Sequence, residues 1–344
     1  MSSTWRARAE HQLTQAWLSN NLLSALLLPI TAIYCVLAAA RRGLFQTGIR
    51  KSTRIPVKVV VVGNVVAGGA GKTPTVISLV ERLAREGHQI GVISRGYGRI
   101  SRDILEVSHE SATDDVGDEP LLIHRRLQIP VFVGRDRVAA ALQLLQKYPQ
   151  VNLIVCDDGI QHLQLFRDAE VYVFDNRGIG NGLPLPSGPL RSPWPPRYIA
   201  RAGQSAAKSI VLHTGTCPTF DGHHALRALA PRGLRSNGTS IALDELRSSS
   251  KSLVAIAGIA QPSVFFAMLE AAGIRTIMNI SYPDHHDFAD WIPPEKSECT
   301  VVCTEKDAAK IWLVDPNAVA IPLDQSMADS FFDSVRSALE LQAR

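Results

Sequence analysis

Apolar and polar positions along the chain fall into three patterns. The first is an unbroken apolar stretch: residues 22–40 read LLSALLLPITAIYCVLAAA and carry no charge. That is about the length needed to cross the hydrocarbon core of a bilayer. Pro29 lies inside it and should kink a helix. Trp17 precedes the stretch, and Arg41 and Arg42 follow it, as interfacial anchors do. A signal peptide is one competing reading, with Arg6 and Arg8 before a run ending in three alanines. A buried core helix is another, disfavoured by the length. An anchor over residues 1–42, spanning the membrane or lying in its interface, fits both the length and the flanking arginines.

The second pattern begins near residue 57, where short apolar runs alternate with stretches of helical spacing. Val57–Val62, Ile90–Ile93, Val131–Val133, Leu153–Cys156 and Val171–Phe174 read as strands. Thr75–Glu86, Pro120–Leu127 and Arg137–Lys147 read as helices. This β-α-β rhythm predicts a parallel sheet with helices on both faces.

Residues 176–203 interrupt the rhythm with glycines and prolines, among them Gly178, Gly180, Pro184, Pro186, Gly188, Pro193 and Pro196. A loop this long is functional or a linker. Further strand-like runs follow at Ile210–His213, Leu253–Ala257, Thr276–Ser281, Thr300–Cys303 and Val319–Pro322. The expectation is an α/β protein of two domains. A phosphate-binding parallel-sheet domain spans 43–178. A second, smaller α/β domain spans 179–344, and its C-terminal tail could return to the first.

Composition narrows the class. The 344 residues are 46% hydrophobic and 20% charged, enough apolar material for packed cores. A net charge of +4 is far from that of a dedicated nucleic-acid binder, so no nucleic-acid partner is expected. Arg41, Arg42, Arg50, Lys51, Arg54 and Lys58 cluster just after the apolar stretch. They suit anionic lipid head groups as well as they suit a solvated linker. The five cysteines match no zinc spacing and read as reduced thiols.

The candidate chemistry starts where the first strand ends. Gly63-Asn64-Val65-Val66-Ala67-Gly68-Gly69-Ala70-Gly71-Lys72-Thr73-Pro74 leads from that strand into a helix. Glycines let backbone N–H groups ring a chain of phosphates, and the helix N-terminus adds its positive end. Lys72 is placed to neutralise the terminal phosphates, and Thr73 to offer a hydroxyl to Mg²⁺. Pro74 is tolerated in the first helical turn. The candidate nucleotide-binding residues are Asn64, Gly68, Gly69, Ala70, Gly71, Lys72, Thr73 and Pro74. The strict phosphate-loop pattern wants glycine where Val66 stands, but the Gly-Gly-x-Gly-Lys-Thr core and its strand-to-helix setting are intact. A nucleotide site also argues against secretion, which would carry it away from cytosolic ATP.

Acids punctuate other strand ends. Asp157 and Asp158 follow Leu153–Cys156, where a metal-facing acid sits in phosphate-loop folds, although Asp-Asp-Gly is also a common turn. Asp118 precedes a helix and suits an N-cap, or a proton acceptor from a hydroxyl. Pro283-Asp284-His285-His286 is a general-base or orienting candidate. His223 and His224 read as a solvated loop.

Together these segments resemble one family, the tetraacyldisaccharide 4′-kinases. The matching pieces are GNVVAGGAGKTP (63–74), SRGYGR (94–99), GDEP (117–120), DDGIQH (157–162), NGLPLPSGPLR (181–191), PDHHDF (283–288) and TEKDAAK (304–310). The resemblance runs from the apolar stretch to about residue 310. It implies transfer of the γ-phosphate of ATP, with Mg²⁺, to the 4′-hydroxyl of a tetraacylated diglucosamine 1-phosphate. It implies work at the cytoplasmic face of a Gram-negative inner membrane, and a site between two α/β domains joined by a hinge-like connection. By the same resemblance Lys72 and Arg191 clamp the transferring group. Thr73, Asp157 and Asp158 attend the metal, and Asp118 is the base with His285 as its partner. The expected partners are the lipid and the membrane surface, with the protein a monomer. The chain departs from the family at Ser192, where glutamate is common. The competing class is a membrane-associated phosphate-loop ATPase switch, which shares the Gly-Gly-x-Gly-Lys-Thr core. A GTPase of that kind would show Thr-Lys-x-Asp, and residues 304–307 read Thr-Glu-Lys-Asp instead.

Overall fold

The first strand, β1 (Lys58–Gly63), is apolar at nearly every position because both faces of its sheet are covered. Val60 and Val62 enter one core, and Val59 and Val61 enter another on the opposite face. The structure is a computed structural model that describes residues 15–196, 207–294 and 299–341. Arg6 and Arg8 therefore lie outside the described residues.

Two sheets organise the chain. In chain order the strands of the first are β1, β2 (Ile90–Ser94), β3 (Leu105–Glu106), β4 (Val131–Val133), β5 (Leu153–Asp157), β6 (Ala169–Phe174), β7 (Lys208–His213) and β8 (His223–Leu229). Those of the second are β9 (Arg232–Leu234), β10 (Ser240–Ala242), β11 (Ser252–Ala257), β12 (Met278–Ser281), β13 (Cys299–Thr304) and β14 (Val319–Ile321). A last strand, β15 (Leu323–Met327), rejoins the first sheet. The first sheet has the order β15-β8-β7-β6-β1-β5-β2-β4-β3, and the second the order β10-β9-β14-β13-β11-β12.

In the first sheet β8 through β4 are mutually parallel, and the edge strands β3 and β15 run antiparallel. Helices Lys72–Arg85 and Asp329–Leu339 bury Leu79, Val80, Leu83, Phe331 and Val335 on one face. Helix Arg137–Lys147 buries Ala140, Ala141 and Leu144 on the other. The doubly covered parallel sheet expected from the β-α-β rhythm is present.

The division expected at residue 178 is not. β7 and β8 lie beyond it, yet β7 pairs in parallel with β6 along its whole length. A glycine- and proline-rich loop marks an excursion as readily as a boundary, and here the chain leaves the sheet after Phe174 and returns to it. His223 and His224, expected in a loop, begin β8. Its half-exposed register hid the strand, and His223 Nε2 lies 3.0 Å from Ser334 Oγ.

Two short crossings join the sheets, from Leu229 to Arg232 and from Ile321 to Leu323. They run side by side: Ala230 donates to Pro322 O at 2.9 Å, and Leu323 registers with Leu229.

The apolar stretch forms two helices rather than one kinked rod, Leu22–Leu26 and Leu28–Gln46. Pro29 sits in the first turn of the second helix, where its missing N–H costs nothing, so it starts that helix instead of bending it. Leu28–Gln46 is long and apolar enough to cross a membrane, and most of it is exposed. It buries Phe45 and also makes polar contacts with the rest of the protein. Thr31 Oγ1 lies 2.8 Å from Ser187 Oγ, and the Tyr34 hydroxyl donates to Arg191 O at 2.6 Å. Trp17 Nε1 donates to Pro186 O at 2.9 Å.

Candidate functional site

The phosphate loop leaves β1 at the carboxyl edge of the first sheet. Its last glycine, Gly71, takes φ +87° and caps helix Lys72–Arg85, which starts three residues earlier than its apolar spacing suggests. Glycine adopts that left-handed backbone without strain. Asn64 closes the loop from within, its Nδ2 donating to Gly68 O at 3.0 Å.

The neighbouring strand supplies the acids. Register pairs Asp157 of β5 with Val62 of β1, so Asp157 and Asp158 emerge beside the start of the loop. Asp157 is 1% exposed. Ser94 Oγ donates to its Oδ2 at 3.2 Å, while its Oδ1 is buried without a partner among the described residues. Burial, aided by the charges of Glu119 and Asp158, pushes its carboxyl up to about 7. Asp158 is treated oppositely. Burial raises it, but the cations Lys72 and Arg191 outweigh that and hold it below the usual carboxylate range. Lys72 Nζ stands 3.8 Å from Asp158 Oδ1, and Arg191 Nη2 stands 3.1 Å from the same oxygen. Asp158 has φ +46°, an uncommon conformation for a residue with a side chain.

Arg191 arrives on the proline-rich loop, which the phosphate loop itself holds. Arg191 N donates to Val65 O at 2.7 Å, and Ala67 N donates to Pro189 O at 2.8 Å. Its guanidinium donates to Asn64 O at 3.1 Å and also to Asn64 Oδ1. At the family's glutamate position, Ser192 Oγ accepts from Gln161 Nε2 at 3.3 Å, and the same amide donates to Asn64 O. The hydroxyl is thus tied into the loop's support.

Asp118 is not an N-cap. Gly117 is the cap, at φ +92° where an added Cβ would meet Gly96 and Tyr97, and Asp118 is the first helical residue. Its side chain turns toward the second sheet instead. Oδ2 accepts from Lys310 Nζ at 2.8 Å and lies 3.0 Å from His285 Nδ1. Burial raises the carboxyl's pKa, but the bonds from His285 and Lys310 prevail and keep it below its ordinary value. His285 follows β12 with φ +64°, and its ring centroid lies 4.9 Å from that of Tyr97. Strained backbone of this kind gathers at functional sites.

Sequence reasoning missed several groups here. Lys306 and Lys310 lie in TEKDAAK on helix Glu305–Val314, one turn apart and therefore on one face. Lys306 donates to Asp284 Oδ1 at 2.8 Å. Their i,i+4 spacing was the available signal. Asp175, Arg177 and Gln261 also meet at the loop: Arg177 Nη2 and Gln261 Nε2 donate to Gly69 O at 2.8 and 3.1 Å, and both bond Asp175. A cavity between the sheets is lined by Gly69–Thr73 on one side and by Ile259, Phe265 and Met268 on the other.

A phosphate loop on a doubly covered parallel sheet, with a lysine–arginine pair over an acid and a hydrogen-bonded carboxylate–histidine pair, defines a phosphate-loop phosphotransferase. Comparison with known proteins gives its kind. Residues 23–340 match the family described as LpxK, tetraacyldisaccharide-1-P 4′-kinase, and the chain belongs to that family. A tetraacyldisaccharide 4′-kinase of Acidovorax sp. (strain JS42) is 45% identical over 330 residues, covering 95% of this chain and 94% of that protein. One from Polaromonas sp. (strain JS666 / ATCC BAA-500) is 45% identical, covering 94% and 95%. The crystal structure of LpxK from Aquifex aeolicus in complex with ATP superposes with a TM-score of 0.75 at 26% identity. It covers 92% of this chain and 100% of that one.

Proposed function

We propose that this kinase transfers the γ-phosphoryl group of ATP to the 4′-hydroxyl of a tetraacyldisaccharide 1-phosphate. One observation carries the assignment of roles: Asp118 and His285 form a hydrogen-bonded pair, and their chain neighbours Glu119 and Asp284 line the cavity that the phosphate loop floors.

The residues suit Mg²⁺. Asp157 presents a buried carboxylate oxygen without a partner among the described residues, and Thr73, 8% exposed, stands in the first turn of helix Lys72–Arg85. Asp157 and Thr73 would hold the ion, with Asp158 beside them, and the ion would neutralise charge on the triphosphate. Lys72 and Arg191 orient the transferring group and balance its charge, and Asp158 holds both cations in place. Asp118 Oδ2 is engaged by His285 and Lys310, so Oδ1 is the oxygen left to accept the hydroxyl proton. A carboxylate of lowered pKa is a weak base. That suffices for phosphoryl transfer, which depends more on positioning and charge than on proton removal.

The lipid acceptor comes from a membrane. Leu22, Leu26, Ile30, Ile33, Val36 and Leu37 are exposed along the N-terminal helices. We place these helices in the inner membrane, with the body of the protein on its cytoplasmic face, where ATP is available, and with the protein a monomer. We divide the chain after its anchor into a kinase unit of residues 43–229 and 323–341 and an intervening unit of 230–322. The division follows the two crossings between the sheets.

The test is ATP-dependent phosphorylation of tetraacyldisaccharide 1-phosphate in detergent micelles by the purified protein. One phosphoryl group added per lipid, giving the 1,4′-bisphosphate, with one ADP released is expected. ATP hydrolysis without lipid product would overturn the proposal in favour of an ATPase switch.

A further inference from the structure

Two arginines brace the phosphate loop from the side of the cavity, and their charges are treated differently. Arg177 is neutralised: its guanidinium forms paired bonds with Asp175, with Nη2 to Oδ2 at 2.7 Å. Arg227, on β8, has no carboxylate within ion-pair distance among the described residues. Its two hydrogen bonds go to neutral acceptors, Nη2 to Ala70 O at 3.1 Å and Nε to Gln325 Oε1 at 3.2 Å. The acid that acts on it electrostatically is Asp175, already held by Arg177 and by Gln261. Burial depresses the guanidinium's pKa. A guanidinium carries five N–H donors, so most of those on Arg227 are unused.

Its placement says what would use them. The side chain lines the cavity floored by Gly69–Thr73. A Cβ on Gly71 would lie 1.7 Å from Arg227 Nη2, so the guanidinium rests directly on the glycine before Lys72. A half-buried cation without a counter-ion destabilises a fold unless an anion completes it. We infer that Arg227 is a nucleotide-binding residue that contacts the phosphate chain, donating its free N–H groups to phosphate oxygens. This rests on the reading of the loop as the ATP site.

Three physical consequences follow. Removing the charge weakens binding of phosphorylated nucleotide. Because the charge is uncompensated in the free protein, its removal does not lower the stability of that state. The fork geometry of arginine also matters, so lysine is only a partial replacement.

The experiment measures ADP binding by isothermal titration to the full-length protein in detergent, together with thermal unfolding without nucleotide. It is done for the wild type, Arg227→Met and Arg227→Lys. Expected are a dissociation constant for ADP raised about 10- to 100-fold in Arg227→Met, on the scale of a lost charge-assisted hydrogen bond, and a smaller rise in Arg227→Lys. The nucleotide-free melting temperature should be unchanged or higher in both. ADP affinity equal to wild type in both variants would overturn the inference while leaving the ATP site intact. So would a fall in nucleotide-free melting temperature in both variants with no loss of ADP affinity in Arg227→Lys, which marks a structural brace. A wild-type protein that fails to bind ADP would overturn the inference and the reading beneath it together.

Discussion

The two sides of the cleft hold their reactive groups in different ways. On the phosphate side, Lys72, Asp158, Arg191 and Asn64 all belong to segments anchored on the first sheet. Backbone bonds between residues 65–67 and 189–191 lock the two loops together. On the other side, Asp118 belongs to the first sheet's layer, while His285 and Lys310 belong to the second's. One constellation exists whenever the first sheet is folded. The other exists only when the two sheets stand as they do here. The difference teaches that this enzyme holds its nucleotide loop within one body, whereas the Asp118–His285–Lys310 cluster, the proposed proton acceptor and its partners, is completed by the relative placement of two.

Substitutions can break that contrast. Lys72→Ala should have the largest effect, lowering kcat by about 10³-fold, the scale for removing a preorganised charge from a transition state. Steady-state lipid phosphorylation measures it, and retention of a tenth of wild-type turnover would refute the role. Asp118→Asn should lower kcat by about 10²-fold, the low end for general-base loss, while the KM for ATP stays near wild type. His285→Ala alone should cost less. The double variant should be no slower than Asp118→Asn, because the two act as a pair. Additive losses would show that His285 acts on its own.

The smallest effect concerns stability. His162 is held down to about 4, first by burial and then by the charges of Arg137 and Arg167, and its Nε2 has no partner among the described residues. The folded protein therefore resists protonating a group that the unfolded chain protonates near 6.5. Below that value the unfolded state binds more protons, so stability is present above about 6.5 and is lost as pH falls toward 4. His162→Gln should flatten the fall in melting temperature between those values. An unchanged slope would place the acid sensitivity elsewhere.

What could be read from the sequence follows from how strongly each residue type restricts its surroundings. β1 and the loop after it were legible because a buried apolar run ending in Gly-Gly-x-Gly-Lys-Thr has few other uses. The Arg137–Lys147 helix matched its apolar spacing end to end. Strand β8 was not legible, because its pattern HHALRAL alternates weakly at a half-exposed position. The two uses of Asp118, cap and base, look alike in one dimension. In the structure Gly117 takes the cap, and the Asp118 side chain meets Lys310, nearly two hundred positions away. Arg227 gave no signal at all. Its meaning lies in the absence of a carboxylate partner among the described residues, and that is a property of space rather than of order along the chain.

The apolar N-terminal helix has one practical consequence. Deleting such a segment is a common route to a water-soluble enzyme. Here deletion would strip the Ser187 amide and hydroxyl of Thr31, and the Arg191 carbonyl of the Tyr34 hydroxyl. Those groups are buried or half-buried on the loop that delivers Arg191. A shortened protein would thus carry unpaired polar atoms on Arg191 itself and on Ser187 of the same loop. Inhibitor screening on this enzyme is better served by the whole chain in detergent than by a trimmed one in buffer.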